Sequence, residues 1–494
     1  MRHPIEVLCI KPDEAGLVFS LGVVLLGNAA ATQISGIVAV SGLLGGDSGG
    51  SQAILVVWVI DSLLVLALAG LQAPLVDRLD RRTLMRAMTL SFACIFIGLR
   101  FLFDHAPGWL NYSLLYVVSD VQWLFYPLVF WVLASDIFDP SQSRRIFPII
   151  AALGSVGKLV GIGIGAVSAQ WLAGINFSSH LLVFNFIIYL ALSLGLLAWK
   201  KGPIKPYPVA LPKETFRQSL VEGWSFVRRT PALRYLAIVA VSSVMIQTFI
   251  EFRFLVISGA LANYETFYSL YRLGWVVVAI GIQTFVANRL IEKMGLGNTF
   301  VILPLVAMLC SVWMLLLPGI ASAVGGTVLL RWQQYTVDES ARKSFQTLVP
   351  AERRGRVSLF LDSVLYSAGG ILGCALTGLA TWLSSLVGQA SGDFYIYLGA
   401  AVLMSLVAFW AVIKMQKFFR LPSAGLTAES ETGKSAEAFG RLTPSSTPSL
   451  VLRLPHRLGI AGRMWGKTAT ARRSIFTAAM WLASPAYSQT IREK

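Results

Sequence analysis

Residues 131–165 read WVLASDIFDPSQSRRIFPIIAALGSVGKLVGIGIG. The stretch holds the end of one apolar helix, a short polar turn with two arginines, and a glycine-rich apolar helix with Lys158 inside it. A looser copy occupies residues 331–378, RWQQYTVDESARKSFQTLVPAERRGRVSLFLDSVLYSAGGILGCALTG. Each copy has an acidic and basic turn followed by a small-residue helix, and Gly157 and Gly161 of the first are echoed by Gly369 and Gly373 of the second. This duplication inside an apolar chain predicts two related halves with a pathway between them.

The chain has 494 residues, 55% of them hydrophobic and 13% charged, with a mean hydropathy of +0.68. Soluble domains carry about 25% charged residues, so the composition predicts an integral membrane protein seated in a lipid bilayer. The net charge of +16 does not point to nucleic acid, because the basic residues gather in alternate loops and in the C-terminal stretch. Cys9, Cys94, Cys310 and Cys374 lie far apart, without metal or redox spacing, and read as small hydrophobes. No cofactor is expected. The first apolar run is as long as a bilayer span and has no small-residue cleavage site, so it reads as a retained helix.

Apolar runs of span length recur twelve times. The first six cover residues 15–40, 52–76, 83–103, 112–135, 148–172 and 179–199. The second six cover 233–257, 265–287, 298–317, 319–336, 357–385 and 393–414. Loops 77–82, 136–147, 200–232, 288–297 and 337–356 hold clustered Arg and Lys, whereas 41–51, 104–111, 173–178, 258–264 and 386–392 hold neither. The positive-inside rule then places both termini in the cytoplasm. Four segments follow: an N-terminal six-helix bundle (1–199), a linker (200–232), a C-terminal six-helix bundle (233–419) and a basic tail (420–494) expected to be disordered. Within the linker, KKGPIKPYPVALPK is too proline-rich for a helix. After it, Phe216, Leu220, Trp224 and Val227 recur at helical spacing. They predict an amphipathic helix lying on the membrane surface or packed on the cytoplasmic mouths of the bundle.

The turn after the second span, APLVDRLDRR at 73–82, resembles the signature loop of the major facilitator superfamily. There a small residue, an aspartate, a basic residue and an arginine pair follow the second helix. Asp77, Arg78, Arg81 and Arg82 fall on that pattern, while Ala73 and Asp80 stand where glycines are usual. The corresponding loop of the second half, ANRLIEKMGLGN, keeps only traces of it. An acid at a helix end with arginines nearby suits a breakable latch between two bundles, to which Arg144 and Arg145 of the next basic turn would contribute; the alternative is a basic loop that only sets topology. A narrower resemblance covers about 60 residues. ASDIFDPSQSRRIFPIIAALGSVG and DESARKSFQTLVPAERRGRVSLFLD are similar to the corresponding regions of the ATP/ADP translocase family, the nucleotide transporters of plastids and intracellular bacteria. That resemblance implies a twelve-helix transporter and raises nucleotide antiport as an expectation.

The segment GSVGKL at 154–159 is a decoy for a phosphate-binding loop. Ala152 stands where that motif needs its first glycine, and Leu159 follows the lysine where Ser or Thr is required. Charged side chains inside spans are costly and usually face a bundle interior or a wet cavity. At 1.5 Å per residue, Lys158 lies about 15 Å into the fifth span, Asp61 about 14 Å into the second and Arg331 about 18 Å into the tenth. Asp120 and Arg272 lie about 10–12 Å from the far face, while Arg100, Glu251 and Arg253 are placed close enough to the interface to snorkel. Lys158 and Arg331, from opposite halves, suit an anionic substrate; the alternative is internal pairing, such as Lys158 with Asp61. Asp61 also reads as a protonatable coupling site. Gln334, beside Arg331, offers a hydrogen-bonding group to the same ligand.

The expected architecture is all-α, with twelve transmembrane helices in two pseudo-symmetric six-helix bundles of the major facilitator type. No nucleophile–base pair or metal cluster points to an enzyme. The expected activity is secondary transport of a small organic anion, a nucleotide or phosphorylated metabolite among the options, across a bacterial inner membrane by a monomer. The rivals are a proton-coupled exporter of amphipathic or cationic compounds using Asp61 and Asp120, and a non-transporting membrane sensor or scaffold.

Overall fold

The computed structural model describes residues 12–45, 50–78, 81–138, 140–171, 177–198, 216–261, 264–282, 290, 293–346, 349, 357–358, 360–386 and 392–420. The first half comprises α1 (Pro12–Leu44), α2 (Gly50–Arg78), α3 (Arg81–His105), α4 (Gly108–Ile137), α5 (Pro140–Trp171) and α6 (Phe177–Ala198). A surface helix, α7 (Phe216–Arg229), precedes the second half, α8 (Pro231–Gly259), α9 (Tyr264–Ile282), α10 (Ile302–Leu316), α11 (Ile320–Trp332), α12 (Leu365–Leu386) and α13 (Asp393–Arg420). Hydrocarbon can solvate no free backbone polar group, which is why each span is helical throughout. Among the described residues, nine helices are long and apolar enough to cross a membrane, and Gln52–Leu68 of α2 is a shorter apolar stretch. α9 and α11 complete the expected twelve.

The two halves repeat helix for helix. α1 packs on α5, α4 and α6, as α8 packs on α12, α11 and α13. Across the interface, α2 meets α12 and α5 meets α9, the two contacts that a pseudo-two-fold axis would interchange. The glycine echo has a structural cause. A Cβ on Gly157 would lie 2.2 Å from the carbonyl oxygen of Leu26, and one on Gly161 would lie 2.4 Å from that of Ala30, both on α1. In the second half, a Cβ on Gly369 would come within 2.9 Å of the carbonyl oxygen of Val241, and one on Gly373 within 2.9 Å of the Thr248 side chain, both on α8. Close backbone approach, not phosphate binding, is what these glycines serve.

Most outward-facing positions are apolar, among them Leu194, Leu316, Leu383 and Trp410, as a lipid-facing surface requires. The surface helix α7 starts where the linker reading placed it and stops at Thr230–Pro231, where proline opens α8. Val227 is buried with Phe345, Phe360 and Met415, and Leu220 and Phe226 pack on the same cluster. Trp224 stays half exposed, with its ring 5.7 Å from that of Phe360. α7 thus packs on the end of the second bundle. Residues 199–215 of the linker and 421–494 of the tail lie outside the described residues.

One departure from a simple twelve-helix reading falls on the path to the cavity. α11 does not end near residue 336: it continues through a π-helical turn, Gln333–Asp338, into Glu339–Gln346. A second π turn, Phe360–Val364, leads into α12. Arg342 and Asp362 join these two segments at 3.4 Å. Such turns carry one extra residue per turn and re-aim the side chains around them.

Candidate functional site

Between the halves lies a cavity of about 300 Å³. α1 contributes Asn28, Thr32 and Gln33 to its wall, α2 contributes Trp58 and Asp61, and α4 contributes Tyr116, Ser119, Asp120 and Trp123. Lys158 comes from α5, Gln247 and Glu251 from α8, Tyr268, Arg272 and Trp275 from α9, and Tyr366 from α12. From α11 and its continuation come Arg331, Tyr335 and Glu339, each four residues after the last, so one helical stripe faces inward. The wall on the α1 side is held rigid. Gln122 donates to the hydroxyl of Tyr189 at 2.7 Å, and that hydroxyl donates to Oδ1 of Asn28 at 2.7 Å.

Four of the five residues expected to contact substrate, Lys158, Arg331, Asp61 and Arg272, meet in this cavity. Gln334 does not line it: its amide donates to the carbonyl oxygen of Ser243 on α8 at 3.3 Å. Tyr335, four residues on from Arg331, takes the inward position instead.

The charges are arranged differently from the expectation of two opposed free cations. Arg331 is ion-paired with Glu251, both from the second half. Glu251 was expected near the interface. α8, however, runs on to Gly259, which leaves Glu251 about 12 Å inside the span, within reach of its partner. Lys158 faces Glu339 across the interface and is close enough to Arg272 to feel its charge. Asp61 and Asp120 lie near each other on the first-half wall, and Arg272 is the cation close enough to act on Asp120. Among the described residues Arg272 has no carboxylate within ion-pair distance; it lies against the face of Tyr268, 5.6 Å from the ring centroid. Its Nη1 approaches α1 so closely that a Cβ on Gly36 would lie 2.9 Å from it. Trp275 and Tyr335 stack at 5.8 Å with 19° between their planes, beside Arg331.

At two pairs of corresponding helices the charges are opposite in sign. α2 and α4 bring Asp61 and Asp120, while their counterparts α9 and α11 bring Arg272 and Arg331. Sequence reasoning places Asp120 by depth but misses Glu251, Glu339 and the aromatic lining. The rotation of each helix decides which side chains converge, and hydropathy carries no such information.

Arg81, at the start of α3, is ion-paired with Asp136, at the end of α4, so this arginine closes a contact within the first half and not between halves. The two helices are sequence neighbours running antiparallel, which brings those ends together. The side chains of Asp77, Arg78, Arg144 and Arg145 lie outside what is described, and Arg82 is engaged by neighbouring groups.

No protein-family model matches the sequence. No curated protein matches it either. Solved structures do. A variant of the nucleoside transporter NupG superposes with a TM-score of 0.61 at 14% identity, over 80% of this chain and 99% of that one. A bacterial homolog to the human lysosomal transporter Spinster, inward-facing and unoccupied, gives 0.58 at 16% identity, over 82% and 98%. An auto-inhibited POT family peptide transporter gives 0.55 at 13% identity, over 83% and 99%. Together with the paired six-helix halves, these likenesses show that the chain has the major facilitator fold.

Proposed function

We propose that the protein is a secondary transporter that moves a small organic anion across a bacterial inner membrane by rocking its two halves about the central cavity. Both termini would be cytoplasmic and the monomer would be the working unit. One observation carries the reading: Arg272, a guanidinium with no ion-pair partner among the described residues, faces the interface cavity close to Lys158. A phosphate or carboxylate would offset the desolvation of these cations and accept a bidentate contact from Arg272. The anion site so drawn is Lys158 with Arg272, in place of Lys158 with Arg331, whose charge Glu251 neutralises. At about 300 Å³ the cavity lies at the lower end of the range for small-molecule sites, roughly 300–1,000 Å³. A phosphorylated metabolite or a nucleotide, with Trp275 and Tyr335 offering flat faces to a base, falls within this class. So does the exchange of one such anion for another.

A second reading draws on the carboxyl groups Asp61, Asp120, Glu251 and Glu339 of the same wall: proton-coupled export of cationic or amphipathic compounds. Uptake into proteoliposomes decides between them, screened across nucleotides, inorganic phosphate, sugar phosphates, dicarboxylates and organic cations. Accumulation of an anion that Arg272→Gln abolishes supports the first reading. Accumulation of cations alone overturns it.

A further inference from the structure

The outer face of the second half carries a patch of aromatic rings and cations where α8 begins and α13 ends. α13 turns one stripe outward, Leu403, Leu406, Trp410 and Lys414, each three or four residues after the last, and Lys417 follows. Along it the side chains change from aliphatic to aromatic to cationic, the order found where a helix leaves hydrocarbon for headgroups. α8 packs along α13, and its first turn brings Arg234 and Tyr235 to the same end. The rings of Tyr235 and Trp410 meet edge to face at 5.8 Å. The Arg234 guanidinium lies 5.7 Å from the Tyr235 ring centroid, and the Lys414 ammonium lies 6.0 Å from that of Trp410. Among the described residues, neither Arg234 nor Lys414 enters an ion pair, and the same holds for exposed Arg228 and Lys417 nearby in the chain. The pseudo-symmetric place on the first half, where α1 begins beside α6, has the opposite character. α1 opens with Asp13 and Glu14, and Glu14 accepts a hydrogen bond from Gln142 at 2.8 Å. By the pseudo-symmetry α1 and α8 start on the same face, so a charge bias that only sets topology would treat them alike. The cationic patch belongs to the second half alone.

We propose that this face binds an anionic phospholipid, its headgroup phosphate held by Arg234 and Lys414 and its acyl chains laid along Leu406 and Leu403. A phosphate accepts charge-assisted hydrogen bonds from a guanidinium and from an ammonium. A zwitterionic headgroup brings its own cation and gains less from the patch. Each basic side chain beside an anionic headgroup is worth about fivefold in affinity. Trp410, 49% exposed, sits between the aliphatic and the cationic parts of the stripe, at the level that aromatic rings favour in a bilayer. The long cationic side chains reach past it toward the phosphate while their stems stay against apolar surface. A soluble phosphate would meet the cations but leave the apolar stripe unused, which makes a lipid the better fit. A second copy of the chain fits worse, because a two-fold contact would set this cationic patch against itself. None of these residues lines the central cavity, so the lipid site stands apart from transport.

Lipid binding is read by native mass spectrometry of the full chain released from detergent. The protein is titrated with phosphatidylglycerol or with phosphatidylcholine of the same acyl chains. The wild type should bind its first phosphatidylglycerol at least about tenfold more tightly than phosphatidylcholine. Arg234→Gln/Lys414→Gln should weaken phosphatidylglycerol on the order of twentyfold and leave phosphatidylcholine unchanged. Trp410→Leu keeps both charges but removes the ring beneath Lys414, and should weaken phosphatidylglycerol about threefold. Arg100→Gln removes a cation from α3 of the first half and controls for total charge, so it should leave the affinity unaltered. Should the double variant not fold, Lys414→Gln alone carries the test, with a loss of about fivefold expected. Equal affinity for the two lipids, or an equal loss in Arg100→Gln and the double variant, would overturn the proposal. So would displacement of the lipid by inorganic phosphate at constant ionic strength, which would make the patch a soluble-anion site. A lipid-free dimer that Trp410→Leu dissociates would overturn it too, because the face would then hold a second copy. The titration uses no substrate, so its outcome is independent of the uptake screen that tests the anion reading.

Discussion

Arg331 of α11 and Glu251 of α8 form an ion pair on the wall of the central cavity, with side-chain exposures of only 12% and 18%. The cation deepest in the second half is therefore neutralised by a residue of its own bundle. Removing one partner of a buried pair leaves the other charge without compensation, which costs about 3–5 kcal/mol where burial is complete. The residual exposure here argues for the lower end. Arg331→Gln should lower the thermal midpoint of the detergent-solubilised protein markedly, whereas Arg331→Gln/Glu251→Gln should return to within about 1 kcal/mol of the wild type. A double variant no more stable than the single one would show that Arg331 and Glu251 do not act as a pair.

The glycines of α5 make an internally controlled experiment. Gly161→Ala sets a methyl group against the carbonyl oxygen of Ala30, a backbone atom that cannot swing aside, whereas a methyl group on Gly163 would meet nothing within 4 Å. Overpacking costs typically about 1–3 kcal/mol, while alanine in an open helical position gains about 0.5–1 kcal/mol over glycine. Gly161→Ala should thus destabilise and Gly163→Ala should not, as read from thermal unfolding of the two variants side by side. By the pseudo-symmetry, Gly373→Ala should behave like Gly161→Ala.

The span count and the two-half organisation were legible because the bilayer enforces them: each crossing needs about 20 apolar residues, and the loops divide cleanly by charge. Lys158, Asp61, Arg272 and Arg331 could be picked out because a charge inside a span is costly enough to demand a reason. What the linear order does not show is which charge answers which. Glu251 and Arg331 are 80 residues apart in the chain, and only the packing of α8 on α11 makes them partners. The π turn at Gln333–Asp338 was equally hidden, since it alters register without altering hydropathy. The inward stripe of Arg331, Tyr335 and Glu339 runs through that turn, so the acid end of the stripe was missed.

Orientation is the next prediction, motivated by the absence of Arg and Lys from every far-face loop. A single cysteine at Trp109 should react with an impermeant thiol reagent added to intact cells, and one at Asn298, on the face of the basic loops, should react only after the membrane is breached. Both positions are exposed. The background must lack native cysteines, because Cys94 is itself exposed. Labelling of Asn298→Cys in sealed cells would reverse the proposed topology.

The last prediction separates Arg272 from Arg331 in transport. Both are arginines on the cavity wall, on α9 and α11, and depth alone favours Arg331. Their surroundings differ: Arg331 is tied to Glu251, whereas Arg272 lies against Tyr268 and is drawn electrostatically toward Asp120. Loss of a charge-assisted contact costs about 1.5–3 kcal/mol, or roughly a ten- to hundredfold loss of affinity. Arg272→Gln should therefore raise the half-saturating anion concentration by about that factor. Arg331→Gln/Glu251→Gln, which removes the pair as a whole, should change it by less than about threefold, the allowance for loss of an exposed or self-satisfied ion pair. Lys158→Gln should weaken uptake in the same direction as Arg272→Gln. Lys158→Arg should restore it only partly, because a planar guanidinium fills a different space from an ammonium. The measurement is initial uptake into proteoliposomes of whichever anion the screen identifies, at fixed pH on both sides. If the paired Gln variant loses uptake and Arg272→Gln keeps it, the anion sits at Arg331 after all, and Glu251 must release it when substrate arrives.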